Sequence, residues 1–383
     1  TRKESSAASD VYKRQRPVRP DTNPTSGGIK VSIPPATTPD LDLDDEFAYK
    51  RSPVQRLQIF LHRYPWMSSL VVLIGVILVF ALVNERFLLP ATVSLMLQQT
   101  VIVGTLAIAQ TLIILTAGID LSIGGIMIFG QMVMANFAVY TTASNVLPVA
   151  GTNPYIAILL GILAATGAGA INGLLIVRFS LPPFIVTLGT WSVFMGITLI
   201  LFKARTIQGP EMPELMKLLG DAFPVGPYRF TFGFVVMFVL YLIFAWVLKN
   251  TAWGTHVYAV GDDPVAAQLS GINTKRVLFS VYLVAGVVMG IAAWITIGRV
   301  GSASPNVDAM LNLQTITAVV IGGTSLFGGR GAVIGSLIGA LIVNAVEMGL
   351  SLAGVDQAYR TASIGILVIA AVGADQWIRK VKA

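Results

Sequence analysis

Trp66-Met-Ser-Ser-Leu-Val-Val-Leu-Ile-Gly-Val-Ile-Leu-Val-Phe-Ala-Leu-Val83 runs its whole length without one charged side chain. A helix needs roughly 20 residues to cross the ~30 Å hydrocarbon core of a bilayer. Within that core only helices and closed barrels satisfy the backbone. Working outward from this stretch, similar apolar runs follow at 93–116, 121–140, 154–177, 183–202, 230–248, 276–298, 311–325, 332–352 and 359–377. They predict an all-α membrane protein with about ten transmembrane helices. The eighth run is short and flanked by glycine, so it reads as a broken or re-entrant segment.

Composition agrees over the rest of the chain. Of 383 residues, 55% are hydrophobic and 12% charged, and the mean hydropathy is +0.76. Soluble domains carry about 25% charged residues, so this chain lacks the polar side chains to cover a water-soluble surface. The net charge of +7 comes with no basic face and no zinc pattern, which argues against nucleic acid; in a membrane protein excess Lys and Arg marks cytoplasmic loops. There is no cysteine, so disulfides and thiol chemistry are excluded. No cleavable signal peptide is expected, because the first apolar run starts near Trp66 and is too long for one. Residues 1–60 are polar, rich in Ser, Thr, Pro and Asp, and read as a disordered tail, with 1–15 taken as non-native. Residues 61–383 form the transmembrane domain.

Lys and Arg set the orientation. With the amino terminus inside, the cytoplasmic segments hold Arg51, Arg56, Arg63, Arg178, Lys249, Lys275, Arg276, Arg330, Arg379, Lys380 and Lys382. The outer face holds Arg86, Lys203, Arg205, Lys217, Arg229, Arg299 and Arg360, mostly in the one long loop 203–229. Both termini are therefore expected in the cytoplasm. Gly335-Ser-Leu-Ile-Gly339 is a G-x-x-x-G pair, which serves close packing within the chain or a seam between two copies.

What is missing narrows the chemistry. No phosphate loop is present: Gly328-Gly329-Arg330-Gly331 is not followed by Lys-Ser or Lys-Thr. The two histidines, His62 and His256, lack metal-site spacing. The spans contain almost no ionisable residue apart from Asp120 and Glu347, whereas proton-driven carriers bury several as relays. Energy for uphill transport must then come from a partner.

The segment between Lys249 and Arg276 is where a partner could engage. Asp263 suits an N-cap, Pro264 the first helical turn and Gly271 the left-handed position after the helix. These predict a helix of about two turns over 263–271, with Val265, Ala266 and Leu269 as its apolar side. It is either a surface helix of an ordinary loop or a docking helix for a cytoplasmic protein.

Val265-Ala-Ala-Gln-Leu-Ser-Gly271 resembles the E-A-A-x-x-x-G core by which permeases of ATP-driven importers engage their ATPase, with Val in place of the Glu. Three further stretches resemble the permeases of the ribose, xylose, galactose and fructose class: Gly118-Ile-Asp-Leu-Ser122, Pro182-Pro-Phe-Ile-Val-Thr-Leu-Gly189, and Ala318-Val-Val-Ile-Gly-Gly-Thr-Ser-Leu-Phe-Gly-Gly-Arg-Gly331. Thr251-Ala-Trp-Gly254, Tyr258-Ala-Val-Gly-Asp-Asp-Pro264 and Asp375-Gln-Trp-Ile-Arg-Lys380 are most similar to the fructose branch. Asn312 and Gln314 stand where many members are acidic, and Glu347 where small or amide side chains are usual; the class is carried and the sugar left open.

The resemblance implies a permease subunit, not an enzyme, in the bacterial inner membrane. Two copies would line the path of a monosaccharide, a cytoplasmic ATPase would grip Asp262, Asp263, Pro264, Val265, Ala266, Ala267, Leu269 and Gly271, and a periplasmic binding protein would deliver the sugar. ATP and Mg would belong to the ATPase, leaving no cofactor in this chain. Candidate pathway residues are Gln98, Gln110, Asp120, Asn172, Thr187, Trp191, Asn344 and Glu347, each open to a plain interhelical role. Asp120 reads as a local cap or as a hinge at the cytoplasmic gate. A stand-alone carrier or channel for a small neutral solute is the alternative.

Overall fold

The computed structural model describes residues 65–139, 151–208, 212–306 and 310–380, with the backbone alone for 374–380. The polar tail at 1–60, including 1–15, lies outside them, as do Arg51, Arg56, Arg63 and Lys382 and the side chains of Arg379 and Lys380.

Each apolar run coincides with a helix. In chain order they are α1 (Pro65–Val83), α2 (Pro90–Leu115), α3 (Ile123–Ala138), α4 (Pro154–Phe179) and α5 (Pro183–Leu201), then after a loop α7 (Phe232–Asn250), α10 (Thr274–Val300), α11 (Met310–Ile321), α12 (Val333–Leu352) and α13 (Gln357–Lys380). Between them lie the short α6 (Glu214–Lys217), a hairpin of β1 (Ala222–Val225) and β2 (Tyr228–Thr231), and two helices in sequence, α8 (Ala252–Asp262) and α9 (Pro264–Leu269). Among the described residues seven helices, α1, α2, α4, α5, α7, α10 and α12, are long and apolar enough to cross a membrane, and α3, α11 and the first part of α13 are shorter apolar ones.

Helix starts follow local chemistry. Proline opens α2, α4 and α5, where its missing N–H costs nothing and its fixed φ suits the first turn. Asn153 accepts from Tyr155 N, and Thr231 from Phe234 N. Gly301 ends α10 at φ +72, the left-handed geometry that glycine adopts without penalty.

The helices assemble through small residues. Along the α4–α10 seam, a Cβ on Gly286 would lie 2.8 Å from both the Ala165 oxygen and the Thr166 Cα. In lipid, where burial gives helices no hydrophobic advantage, such close backbone approach drives association. The 335–339 pair packs within the chain: Gly335 meets Gly322, and Gly339 meets the Ala318 carbonyl of α11.

Side-chain and backbone contacts define two ends of the bundle. At one end Asn84 Nδ2 donates to Leu352 O (2.9 Å), Ile207 bridges Ala303, and Arg229 N donates to Ser94 Oγ (2.9 Å). There β1 and β2 pair around Gly226 (φ +59), with Phe223 and Phe232 rings 5.2 Å apart. At the opposite end Leu115, Gly261 and Gly329 meet.

Two helices stop short of a crossing. α11 has 12 residues, about 18 Å at ~1.5 Å per residue, and it ends at Ile321 before Gly322 and Gly323 (φ +85). α3 has 16 residues and follows a non-helical stretch, 116–122. Its start is tied to the first turn of α11: Asn312 Nδ2 donates to Leu121 O and Gly124 N donates to Asn312 Oδ1, both at 2.8 Å. Further along, Gln131 Nε2 donates to Ser304 O (2.7 Å). Ser304, on the chain between α10 and α11, is thereby held to α3.

Candidate functional site: a broken helix and the hairpin beneath it

Residues 116–122 leave helical geometry because Ala117 takes φ +59 and Gly118 N returns to Ile113 O at 3.1 Å. Freed backbone groups inside a bundle must find other partners, and here side chains provide them. Asp120, 1% exposed, accepts through Oδ1 from Ser122 N (2.6 Å) and Ser122 Oγ (2.5 Å). Asn172 Nδ2 of α4 donates to Ser122 Oγ at 2.8 Å. Thr187 Oγ of α5 accepts from Leu121 N (3.1 Å) and donates to Ile119 O (3.2 Å). Asn312 closes the ring from α11. Helices α4, α5 and α11 are thus all bonded to one short irregular stretch.

The set lies inside the bundle, not at its surface. Asn172 is seven residues before the end of α4, so about 10 Å inward. Asp120 Oδ2, Asn172 Oδ1 and the Tyr282 hydroxyl are buried without a hydrogen-bond partner. The Tyr282 oxygen approaches Gly118, whose Cβ would lie 3.1 Å from it.

Of the sequence candidates, the structure joins Asp120, Asn172 and Thr187. Trp191, one turn beyond Thr187, lies against α3, with its Cδ1 2.8 Å from where a Gly125 Cβ would stand. The others lie elsewhere. Gln98 Nε2 donates to Arg229 O (3.3 Å) beside the β-hairpin, and Gln110 is fully buried in α2. Asn344 Nδ2 donates to Ala340 O (2.9 Å) of its own helix. Glu347 accepts from Gln314 Nε2 at 3.2 Å, linking α12 to α11. Asp120 accepts from the backbone and the hydroxyl of Ser122, the residue just before α3. Ser122, Tyr282 and Asn312 were not among the candidates; only the last had been marked, as a departure from the acidic residue of related chains.

Below the break sits the predicted docking helix. α9 spans Pro264–Leu269, and Asp263 Oδ1 accepts from Val265 N (2.8 Å) and Ala266 N (3.0 Å). Gly271 takes φ +85, and Ile272 N donates to Ala267 O (3.0 Å), completing the cap. Val265, Ala266 and Leu269 are exposed, as is Asp262; Ala267 is buried and holds the helix to its own chain. The sequence did not reveal α8, which delivers α9 after a single residue, Asp263.

α8 fixes this hairpin to the break. Gly261 lies on Leu115, the last residue of α2, so closely that a Cβ would overlap the Leu115 carbonyl oxygen and come 2.7 Å from Gly329 N. Gly329 N donates to that same carbonyl (2.9 Å). Tyr258 Oη donates to Gly331 O (2.9 Å), and its burial pushes the phenol pKa up, keeping it a donor. α8 therefore packs directly on Leu115, the residue next to the break.

Comparison with known proteins agrees with this architecture. The family model described as branched-chain amino acid transport system, permease component, matches residues 92–372. The chain is 43% identical over 340 residues to the fructose import permease protein of Rhizobium meliloti, covering 88% of this chain and 92% of that one. It is 35% identical over 304 residues to the ribose import permease protein of Bacillus subtilis, covering 78% and 89%. It is 32% identical over 297 residues to the D-allose transport system permease protein of Escherichia coli, covering 77% and 86%. No solved structure matches it. A multi-pass helical bundle and matches over most of its length make this chain a member of that family of transport-system permease components, a membrane subunit of an ABC importer.

Proposed function

We propose that the chain forms the transmembrane path for a monosaccharide in a bacterial ABC importer and is driven by a separate ATPase. The observation that carries this reading is the α8–α9 hairpin: a capped helix with exposed Val265, Ala266 and Leu269, attached through Gly261 to the end of α2. An ATPase that grips α9 would pull on Leu115 and through it on 116–122, where α4, α5 and α11 converge. Among the import permeases it matches, those for fructose, ribose and allose support a sugar of that class, with a fructose-like monosaccharide first. Neutral sugars suit spans with so few charges, since hydroxyls need amides, hydroxyls and aromatic faces.

Trp191, Asn312, Gln314 and Glu347 are the groups we assign to sugar contact, with Asp120, Asn172 and Thr187 holding the bend at 116–122. Both termini and the α8–α9 hairpin lie in the cytoplasm, a binding protein delivers the sugar to the β-hairpin face, and two copies enclose the path. ATP and Mg are held by the ATPase. Uptake of a panel of labelled monosaccharides by cells with and without this gene tests the assignment. Loss of uptake of one hexose or pentose supports it; unchanged uptake of every sugar overturns it.

A further inference from the structure

Three membrane-crossing helices end around one groove. Trp66 is the second residue of α1, Lys249 the last but one of α7, and Val333 the first of α12. With Ala245 of α7, Ile334 of α12 and Tyr258 of α8 they line a cavity of about 730 Å³. Sites that take a drug-sized ligand measure ~300–1,000 Å³. Because helix ends meet here, the groove lies at the depth where a bilayer passes from hydrocarbon to headgroups. Trp66, 37% exposed, is of the residue type that settles at that boundary.

The chemistry of the groove is lopsided. Its wall is mainly apolar, and Lys249 is the single charged group in the lining. Lys249 is exposed and makes no ion pair: among the described residues only Lys217 and Glu214 form one. No carboxylate lines the groove to answer it. An apolar trough ending in one unanswered cation complements a molecule with a hydrocarbon chain and an anionic head. Basic pockets between transmembrane helices hold anionic lipid headgroups in this way. A soluble anion would leave the apolar wall bare, and an apolar protein segment would leave the charge unanswered.

We infer that this groove is a site for an anionic phospholipid, with its phosphate on Lys249 and an acyl chain along Ala245, Val333 and Ile334. The inference follows from the spans and does not depend on the solute carried. The lipid also lies against Tyr258, whose hydroxyl donates to Gly331 O (2.9 Å), and so fills the space beside the seat of α8.

The purified full chain, stripped of lipid in a neutral detergent, tests this by native mass spectrometry with added phosphatidylglycerol or phosphatidylcholine. Phosphatidylglycerol should bind in preference to phosphatidylcholine by about five-fold, as one basic contact supplies. It should also raise the unfolding temperature, since a ligand of the folded state alone stabilises it. Lys249→Gln should remove the preference and leave unfolding without lipid unchanged. The chain has no cysteine, so Ala245→Cys gives a second reading. A maleimide should label it in lipid-free micelles, and phosphatidylglycerol, but not inorganic phosphate, should slow the reaction. Equal binding of the two lipids by the native chain, or an unchanged preference in Lys249→Gln, overturns the assignment. Ala245→Cys closed to the reagent without lipid would mean that the chain before Pro65 or a second copy fills the groove, and would overturn it as well.

Discussion

Gly261→Ala sets two known effects against each other, and the structure decides the sign. In an exposed helix interior the change gains about 1 kcal/mol, since Ala is the better helix former. Here the new methyl would overlap the Leu115 carbonyl oxygen and lie 2.7 Å from Gly329 N. Both are backbone atoms, so neither can turn away as a flexible side chain would. Overpacking of this kind costs about 1–3 kcal/mol, and moving Leu115 from Gly329 endangers a hydrogen bond worth about 0.5–1.5 kcal/mol. The net expectation is a loss of about 1–3 kcal/mol, small enough for the protein to fold. What should fail is coupling: α9 still docks, but α8 no longer bears on α2. Purified Gly261→Ala should unfold at a lower temperature, retain its ATPase and lose most sugar uptake. Gly75→Ala in α1, where nothing lies within 4 Å of the added methyl, is the control and should be neutral or slightly stabilising. Were Gly261→Ala as stable as the native chain and fully active, the contact between hairpin and break would not be the one that transmits force.

Three further outcomes are expected. Asp120→Ala removes the acceptor of two short bonds and should lower thermal stability by roughly 2–6 kcal/mol at 1–3 per unsatisfied group, whereas Asp120→Asn, which keeps one acceptor oxygen, should retain most of it; an uptake defect in Asp120→Asn at native stability would instead make the carboxylate a moving part. Asp263→Ala takes away the cap of α9 and should cost about 0.5–2 kcal/mol locally, read as weaker ATPase capture, with Asp263→Ser close to native. A lone cysteine at Thr206 should react with an impermeant thiol reagent from outside and one at Lys275 only after the membrane is opened; the reverse pattern refutes the orientation.

The spans were legible because apolar density over ~20 residues is a strong signal, and Asp263, Pro264 and Gly271 announced α9 through cap chemistry that operates locally. α8 escaped for a physical reason. Its buried positions are Gly254, Val257, Val260 and Gly261, and glycine, which makes the close contact possible, leaves no hydrophobic mark in a sequence. The β-hairpin was hidden likewise: its turn residues Gly226 and Pro227 were readable, but the loop was judged by its charge. Candidate pathway residues were chosen by type, and type does not say which side of a helix a residue occupies. Hence Asp120, Asn172 and Thr187 meet, Gln98 and Asn344 serve neighbouring backbone, and Asn312 was passed over although it bonds to both Leu121 and Gly124.

The central claim is that this chain is a passage driven from outside itself. Proteoliposomes containing the permease, with and without its ATPase and binding protein, test it through labelled sugar accumulated per mole of permease. The account predicts accumulation only with all three components and ATP hydrolysis on the face that carries α9, and none from ion gradients alone. Accumulation by the permease by itself under a proton or sodium gradient would contradict it.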